Sequence, residues 1–290
     1  MKKKISIILM GVMVMSLMSG CIKRDSMQDI TIHTTVYPIE YVTNYLYGDN
    51  SDVMSIYPDG VDIKSYTFTD KQIKDYSDTS LFIFNGNDSE KDLVSKFSKY
   101  NRSIKIINAT ASIEMDYAIE EMWLNPANLL MLAQNVKNGL NEYINNGYLK
   151  TEINENYEQL KIDISNLDAK IKLMAENSSD PTIVVSSDIF KFLGDEDKYK
   201  FNVISLDGDS NAKAVEQTRL LASKGTVEYL FIPKGTKLND ELQKLAKELK
   251  LEVVELHTLT NITSEERKNK DDYITLMNEN LELIRNEIYE

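Results

Sequence analysis

Short apolar or alternating runs, each followed by a stretch of helical spacing, repeat along this chain from residue 29 onward. Residues 29–37 (DITIHTTVY) alternate apolar and polar positions as a half-buried strand does. Pro38 stands where a helix begins, and residues 39–47 continue as a short helix that stops at Gly48. Residues 53–57 read as the next strand, and Thr69 with Gln72 forms a capping box opening a helix through Tyr76. A buried strand at 81–85 (LFIFN), an amphipathic helix at 90–100 and a strand at 104–108 complete this half. Asn125-Pro126 then opens a helix with Leu129, Leu132, Ala133, Val136 and Leu140 on one face.

The same alternation returns later. Strands are predicted at 182–186, 201–205, 229–232 and 252–256, with helices at 189–193, 212–223, 238–249 and 271–288. Two sets of similar size predict an α/β fold of two lobes, each a mostly parallel sheet flanked by helices. Between them, residues 151–177 contain neither Gly nor Pro. Their apolar positions, Ile153, Tyr157, Leu160, Ile164, Leu167, Ile171 and Met174, are spaced by three and four. That stripe predicts one continuous helix, roughly 40 Å long at about 1.5 Å per residue, a rigid spine between the lobes.

The start of the chain has a different pattern. Lys2, Lys3 and Lys4 precede an apolar run at 5–17, and Met18-Ser19-Gly20 leads into Cys21, the single cysteine. The run is short for a membrane span, which needs about 20 residues. It reads as a secretory signal ending in a site that resembles a bacterial lipobox. Cys21 would then carry diacylglycerol and hold the chain at the outer face of the bacterial cytoplasmic membrane. The expected organisation is a signal peptide at 1–20, a tether at 21–28, an N-terminal lobe at 29–148, the linking helix at 149–177 and a C-terminal lobe at 178–290.

One cysteine excludes disulfides, and once lipidated it leaves no thiol for catalysis or for zinc. Loss of the first twenty residues with their three lysines takes the formal charge from −13 to −16. That balance argues against nucleic acid, whose phosphates need basic patches. Asn85-Gly86-Asn87-Asp88 has turn chemistry but no Lys-Ser or Lys-Thr after it, so it is no phosphate loop. With no nucleophile–His–acid set in view, an enzyme is not expected. His33 and His257 read as packed or surface residues.

Several segments resemble the metal-type (zinc or manganese) substrate-binding lipoproteins of ABC importers, also described as adhesin-like lipoproteins. TTVYPIEYVTNYLYGD, LFIFNGND, WLNPANLLMLAQNVKNGL, LKIDISNLDAKIK and DDYITLMNENLELI fall in the family's order between residues 30 and 283. The resemblance implies two lobes around a cleft, a monomer, and cargo delivered to a membrane permease and its ATPase. It places the four metal ligands on Lys64 (in GVDIKSYTFT), Glu121 (in EEMWLNP), Ser187 (in SSDIFKFL) and Asn261, with Tyr66 and Trp123 lining the cleft.

These residues are a poor donor set. Zinc and manganese sites need several deprotonated donors at about 2.0–2.2 Å. A charged Lys64 has no lone pair to give. At an effective dielectric near 20 and about 4 Å it would repel a dication by about 8 kcal/mol. An ion pair between Lys64 and Glu121 in place of the metal is one expected arrangement. No resident cofactor is expected, although the family implies zinc or manganese. Two functions stay open: a binding protein with altered cargo or weak metal binding, and a cargo-free lipoprotein acting in adhesion, interaction or regulation.

Overall fold

The computed structural model of the 290-residue chain describes residues 24–86, 88–111, 113, 119–208 and 212–289. Its first half contains β1 (Ile30–Thr34), α1 (Tyr37–Tyr47), β2 (Ser51–Ser55), α2 (Asp70–Ser77), β3 (Leu81–Phe84), α3 (Asp88–Tyr100), β4 (Lys105–Asn108) and α4 (Pro126–Tyr143). The long helix α5 (Gly147–Asn177) follows. The second half contains β5 (Thr182–Val185), β6 (Asn202–Ser205), α6 (Ala212–Ser223), β7 (Tyr229–Pro233), α7 (Asp240–Leu249), β8 (Glu252–Leu256), α8 (Ser264–Asn269) and α9 (Tyr273–Tyr289).

Each half builds one four-stranded sheet, ordered β2-β1-β3-β4 and β6-β5-β7-β8. All pairings are parallel, with Ile32 opposite both Val53 and Leu81, and Phe231 opposite Val254. The fold is therefore α/β with two parallel sheets flanked by helices. Strand order reverses beside β1 and β3 in the first sheet, and beside β5 and β7 in the second. Crevices for ligands open at such switch points, beyond the carboxyl ends of the strands.

The spine stripe is buried as its spacing requires: Leu160, Ile164, Leu167 and Ile171 are each at most 3% exposed. They belong to one apolar cluster that includes Ile32 and Leu81 of the first sheet and Ile183 and Phe231 of the second. The two halves thus share a core through α5. The helix starts at Gly147, because Asn146 caps it by accepting the Tyr148 N–H.

Some local expectations change. Residues 188–194 form a 3-10 helix, and α8, which follows a capping box of Thr263 and Glu266, has no counterpart in the predicted elements. The segment expected as a tether is packed at its end: Met27 is fully buried and Asp25 is 8% exposed. The Asp25 carboxylate accepts N–H groups from Met27, Asn145 and Asn146 at 2.7–2.9 Å, tying the segment to the α4–α5 turn. Burial would raise this carboxyl, but the three backbone donors hold it below the usual carboxylate range. Cys21 and the signal sequence lie outside the described residues. Among the described residues no helix is long and apolar enough to cross a membrane.

Candidate ligand cleft

Two adjoining cavities lie beyond the carboxyl ends of the strands. The first, about 430 Å³, opens at the switch point of the first sheet and is lined by Val36, Tyr57, Tyr66, Phe68, Asn85 and Trp123, among others. The second, about 550 Å³, opens at the switch point of the second sheet and includes Ser187, Pro233, Lys234, His257 and Asn261. Ile63, Lys64 and Thr260 line both. Residues far apart in sequence meet here because parallel strands deliver their following loops to one end of each sheet.

Lys64 sits in the long loop between β2 and α2. Its N–H donates to Asp62 Oδ1 at 3.0 Å, and the Ser65 hydroxyl donates to Asp62 Oδ2 at 2.8 Å, which folds the loop into a compact turn. The Lys64 side chain is exposed at the junction of the two cavities. Ser187 caps the 3-10 helix after β5, accepting the Ile189 N–H at 3.5 Å. Asn261 is committed to backbone: its Nδ2 donates to Pro58 O at 2.8 Å and Val61 O at 3.0 Å, and its Oδ1 accepts the Ile262 N–H. Glu121 belongs to the 3-10 helix Ile119–Leu124, and its side chain lies outside the described residues, as does any pairing with Lys64.

Tyr66 accepts a hydrogen bond from Gln72 Nε2 at 2.7 Å and meets Tyr57 and Phe68 edge-on. Trp123 is fully buried, and its indole N–H donates to Thr258 O at 2.8 Å across the cleft. Its own carbonyl accepts the Tyr273 hydroxyl at 2.6 Å.

His257, read as a packed or surface residue, is 8% exposed and lines the second cavity. The Leu259 N–H donates to its Nδ1 at 2.9 Å, so the proton of the neutral ring sits on Nε2, which faces Glu266 Oε1 at 3.4 Å. Burial lowers the pKa of this ring, partly offset by Glu266. Burial also works to raise Glu266, but Lys234 at 2.5 Å and the amide and hydroxyl of Thr263 bring its carboxyl down to about 2. His33 is 6% exposed in β1, with Nδ1 2.8 Å from Tyr76 O, away from both cavities.

A second set of contacts fastens the β2–α2 loop to the C-terminal half. Arg267 of α8 reaches Glu40 at 2.6 and 3.1 Å and Asp59 at 2.8–3.0 Å. Those two carboxylates, Glu40 foremost, hold the guanidinium far above its ordinary pKa. The Gly60 N–H donates to Ile262 O, and the Tyr37 N–H to Thr260 O. Nothing in the local spacing of EERKNK marked Arg267. The Thr-x-x-Glu pattern before it was a signal for α8.

Ser187 offers a neutral hydroxyl, Asn261 a neutral amide oxygen that already accepts the Ile262 N–H, and the neutral His257 ring has its only lone pair engaged by the Leu259 N–H. Among the described residues no group of three or more His, Cys, Asp and Glu side chains is gathered to hold a metal ion. The described cleft is suited to hydrogen bonding and apolar contact.

Comparison with known proteins gives the frame. The zinc-binding protein AdcA of Streptococcus pyogenes serotype M3 is 22% identical over 294 residues, covering 88% of this chain and 55% of that protein. This chain thus spans about half the length of the AdcA relatives it matches first. The high-affinity zinc uptake system protein ZnuA of Bacillus subtilis is 22% identical over 281 residues, covering 88% of this chain and 86% of that protein. The Zn(II)-bound ZnuA-like domain of Streptococcus pneumoniae AdcA shares the fold, with a TM-score of 0.72 at 19% identity over 90% of this chain and all of that one. The profile of the family described as zinc-uptake complex component A, periplasmic, matches residues 32–287. The chain belongs to that family, whose members are substrate-binding proteins and not enzymes.

Proposed function

We propose that this chain is an extracytoplasmic solute-binding lipoprotein of an ABC importer, held by Cys21 at the outer face of the membrane. Its cleft takes a cargo other than a bare zinc or manganese ion, or binds those ions only weakly. A permease and its ATPase are the partners the family implies. One observation carries this reading: at the cavity that Lys64, Ser187 and Asn261 line, the Ser and Asn oxygens are neutral, His257 Nδ1 already accepts the Leu259 N–H, and the residue at the junction is a lysine. The relatives named for zinc make metal the alternative to beat.

Calorimetric titration of the chain with zinc and with manganese, in chelator-treated buffer, tests it. Heats too weak to fit a sub-micromolar site support the reading, and stoichiometric sub-micromolar binding overturns it. Anchoring is tested separately by labelling with a fatty-acid analogue, where Cys21→Ala abolishes incorporation. The contacts of Arg267, Asn261 and Trp123 across the cleft support a second reading, a cargo-free module acting in adhesion, interaction or regulation.

A further inference from the structure

The end of the first half opposite the cleft carries a patch unlike the rest of this acidic chain. The four strands of the first sheet run parallel, so the turns that enter them gather at one face. Two segments there hold basic and aromatic residues and no acid: 99–105 (KYNRSIK) and 143–150 (YINNGYLK). They lie against each other. The Tyr143 hydroxyl donates to Ile106 O at 3.1 Å, and Lys105 Nζ stands 6.0 Å from the centre of the Tyr143 ring. Tyr148 is 75% exposed and Tyr100 54%. Lys99 and Arg102 are exposed, and Lys105 and Lys150 are half-buried. Acids at this end lie around the patch. Asp49 and Asp78 precede β2 and β3, Glu142 flanks the second segment, and Asp29 pairs with Arg24. The first segment enters β4, at the edge of the sheet away from β2 and Asp49.

The chain leaves the folded body at the same patch. Asp25 is held by the N–H groups of Asn145 and Asn146, inside the second segment. Two residues separate Arg24 from Cys21. Even fully extended, the path from Arg24 to Cys21 spans at most about 11 Å. A lipidated Cys21 therefore brings the patch to the headgroups of the bilayer. A body of formal charge −16 is repelled by an anionic membrane, so a basic patch beside the tether is the face that can approach it. Tyrosine suits that boundary, with its ring in the apolar layer and its hydroxyl in water.

We propose that this face rests on the membrane. Lys99, Arg102, Lys105 and Lys150 meet anionic lipid headgroups, and Tyr100 and Tyr148 enter the headgroup layer. The cleft, at the far end of the same strands, is then turned away from the bilayer. The proposal rests on the anchoring of Cys21 and is independent of what the cleft binds.

Lipidation consumes the Cys21 thiol, so a cysteine introduced elsewhere can be labelled alone. The lipidated chain is given an environment-sensitive fluorophore at Asn145→Cys, on this face, or at Lys237→Cys, in the exposed loop after β7. Each is reconstituted into vesicles of phosphatidylcholine and brominated phosphatidylglycerol. Strong quenching at 145 and little at 237 are expected. Arg102→Glu and Lys150→Glu should each cut the ratio of docked to undocked chains about fivefold or more. Salt at about 1 M, where the Debye length is about 3 Å, should also weaken docking. Equal quenching of the two probes overturns the proposal, as does quenching at 145 that survives both the charge reversals and the salt. So does quenching that disappears when the chain is diluted to one copy per vesicle, which assigns the face to a second copy. A chain that takes up no fatty-acid label overturns the anchoring and this proposal with it, whereas a lipidated chain with equal quenching overturns this proposal alone.

Discussion

The backbone N–H of Leu259 donates to His257 Nδ1 at 2.9 Å. Leu259 is fully buried and left-handed, with φ of 57°, a conformation that costs a branched side chain of order 1 kcal/mol or more. The imidazole fixes this turn by accepting its amide, and the same bond occupies the lone pair that a metal would need. His257→Phe should therefore destabilise the chain by about 1–3 kcal/mol, since it leaves a buried amide unpaired. It should not change zinc affinity, which we expect to be weaker than about 10 µM already, near −7 kcal/mol on the usual scale. Denaturant melts and calorimetry measure the two effects side by side. A loss of zinc binding in the variant would make His257 a ligand.

The pH dependence follows from two buried imidazoles. Burial lowers the pKa of His33, partly offset by the Tyr76 carbonyl and Asp52, and lowers that of His257, partly offset by Glu266. The unfolded chain then binds protons near pH 6.5 that the folded chain refuses, so stability is full above that pH and falls as the pH drops below it. Glu266 acts in a lower window. Its carboxyl, held at about 2, contributes stability above the unfolded value near 4.5 and loses it as the pH falls toward 2. Melting temperature should decline first between about pH 6.5 and 5, then more steeply below about 4.5. A constant value from pH 7.5 to 5.5 would contradict the first stage.

How much of this was legible in the sequence depended on period. The stripe from Ile153 to Met174 and the Thr69–Gln72 capping box carry their geometry locally, and each formed, whereas the strand read over 29–37 ends at Thr34 with little alternation in burial and Tyr37 already begins α1. The meeting of Lys64, Ser187 and Asn261 at one cavity came through family resemblance and not through any local signal. What those side chains do there was hidden, because loop conformation decides it. Asn261 turns back onto Pro58 and Val61, and Leu259 adopts a positive φ in a turn where His257 receives its amide. The packing of Asp25 and Met27 was hidden for the opposite reason. So short a segment has no period to read, and its partner, the α4–α5 turn, lies 120 residues away.

Trp123→Phe tests the tie between the 3-10 helix Ile119–Leu124 and the β8–α8 loop. The substitution keeps an aromatic ring in a buried site but removes the N–H that reaches Thr258 O. A lost hydrogen bond and the smaller ring together should cost about 1–3 kcal/mol. The helix–sheet core of each half should hold, so far-ultraviolet dichroism at room temperature should not change. An unaltered melting curve would mean that the bond across the cleft contributes nothing.

Arg267 offers the sharpest test of what holds the cleft closed. Its guanidinium spans Glu40 in the first turn of α1 and Asp59 in the β2–α2 loop, joining two segments of the first half to α8 of the second. Glu40 is 3% exposed, so its charge has little water to fall back on, although the N-terminus of α1 gives it some support. Removing one partner of a fully buried pair costs about 3–5 kcal/mol, mostly as the unpaired charge left behind. Arg267 is itself 42% exposed at its side chain, so water reaches the site and the expected cost of Arg267→Met falls to roughly 2–3 kcal/mol. Glu40→Gln removes the stranded charge, so the double variant should recover part of that loss. In a double-mutant cycle the two changes should therefore couple by about 1 kcal/mol or more, well beyond the additivity of distant sites. Small-angle scattering of Arg267→Met should show a larger radius of gyration if the strap keeps the halves together. Additive losses with unchanged scattering would leave closure to the shared core around α5 alone.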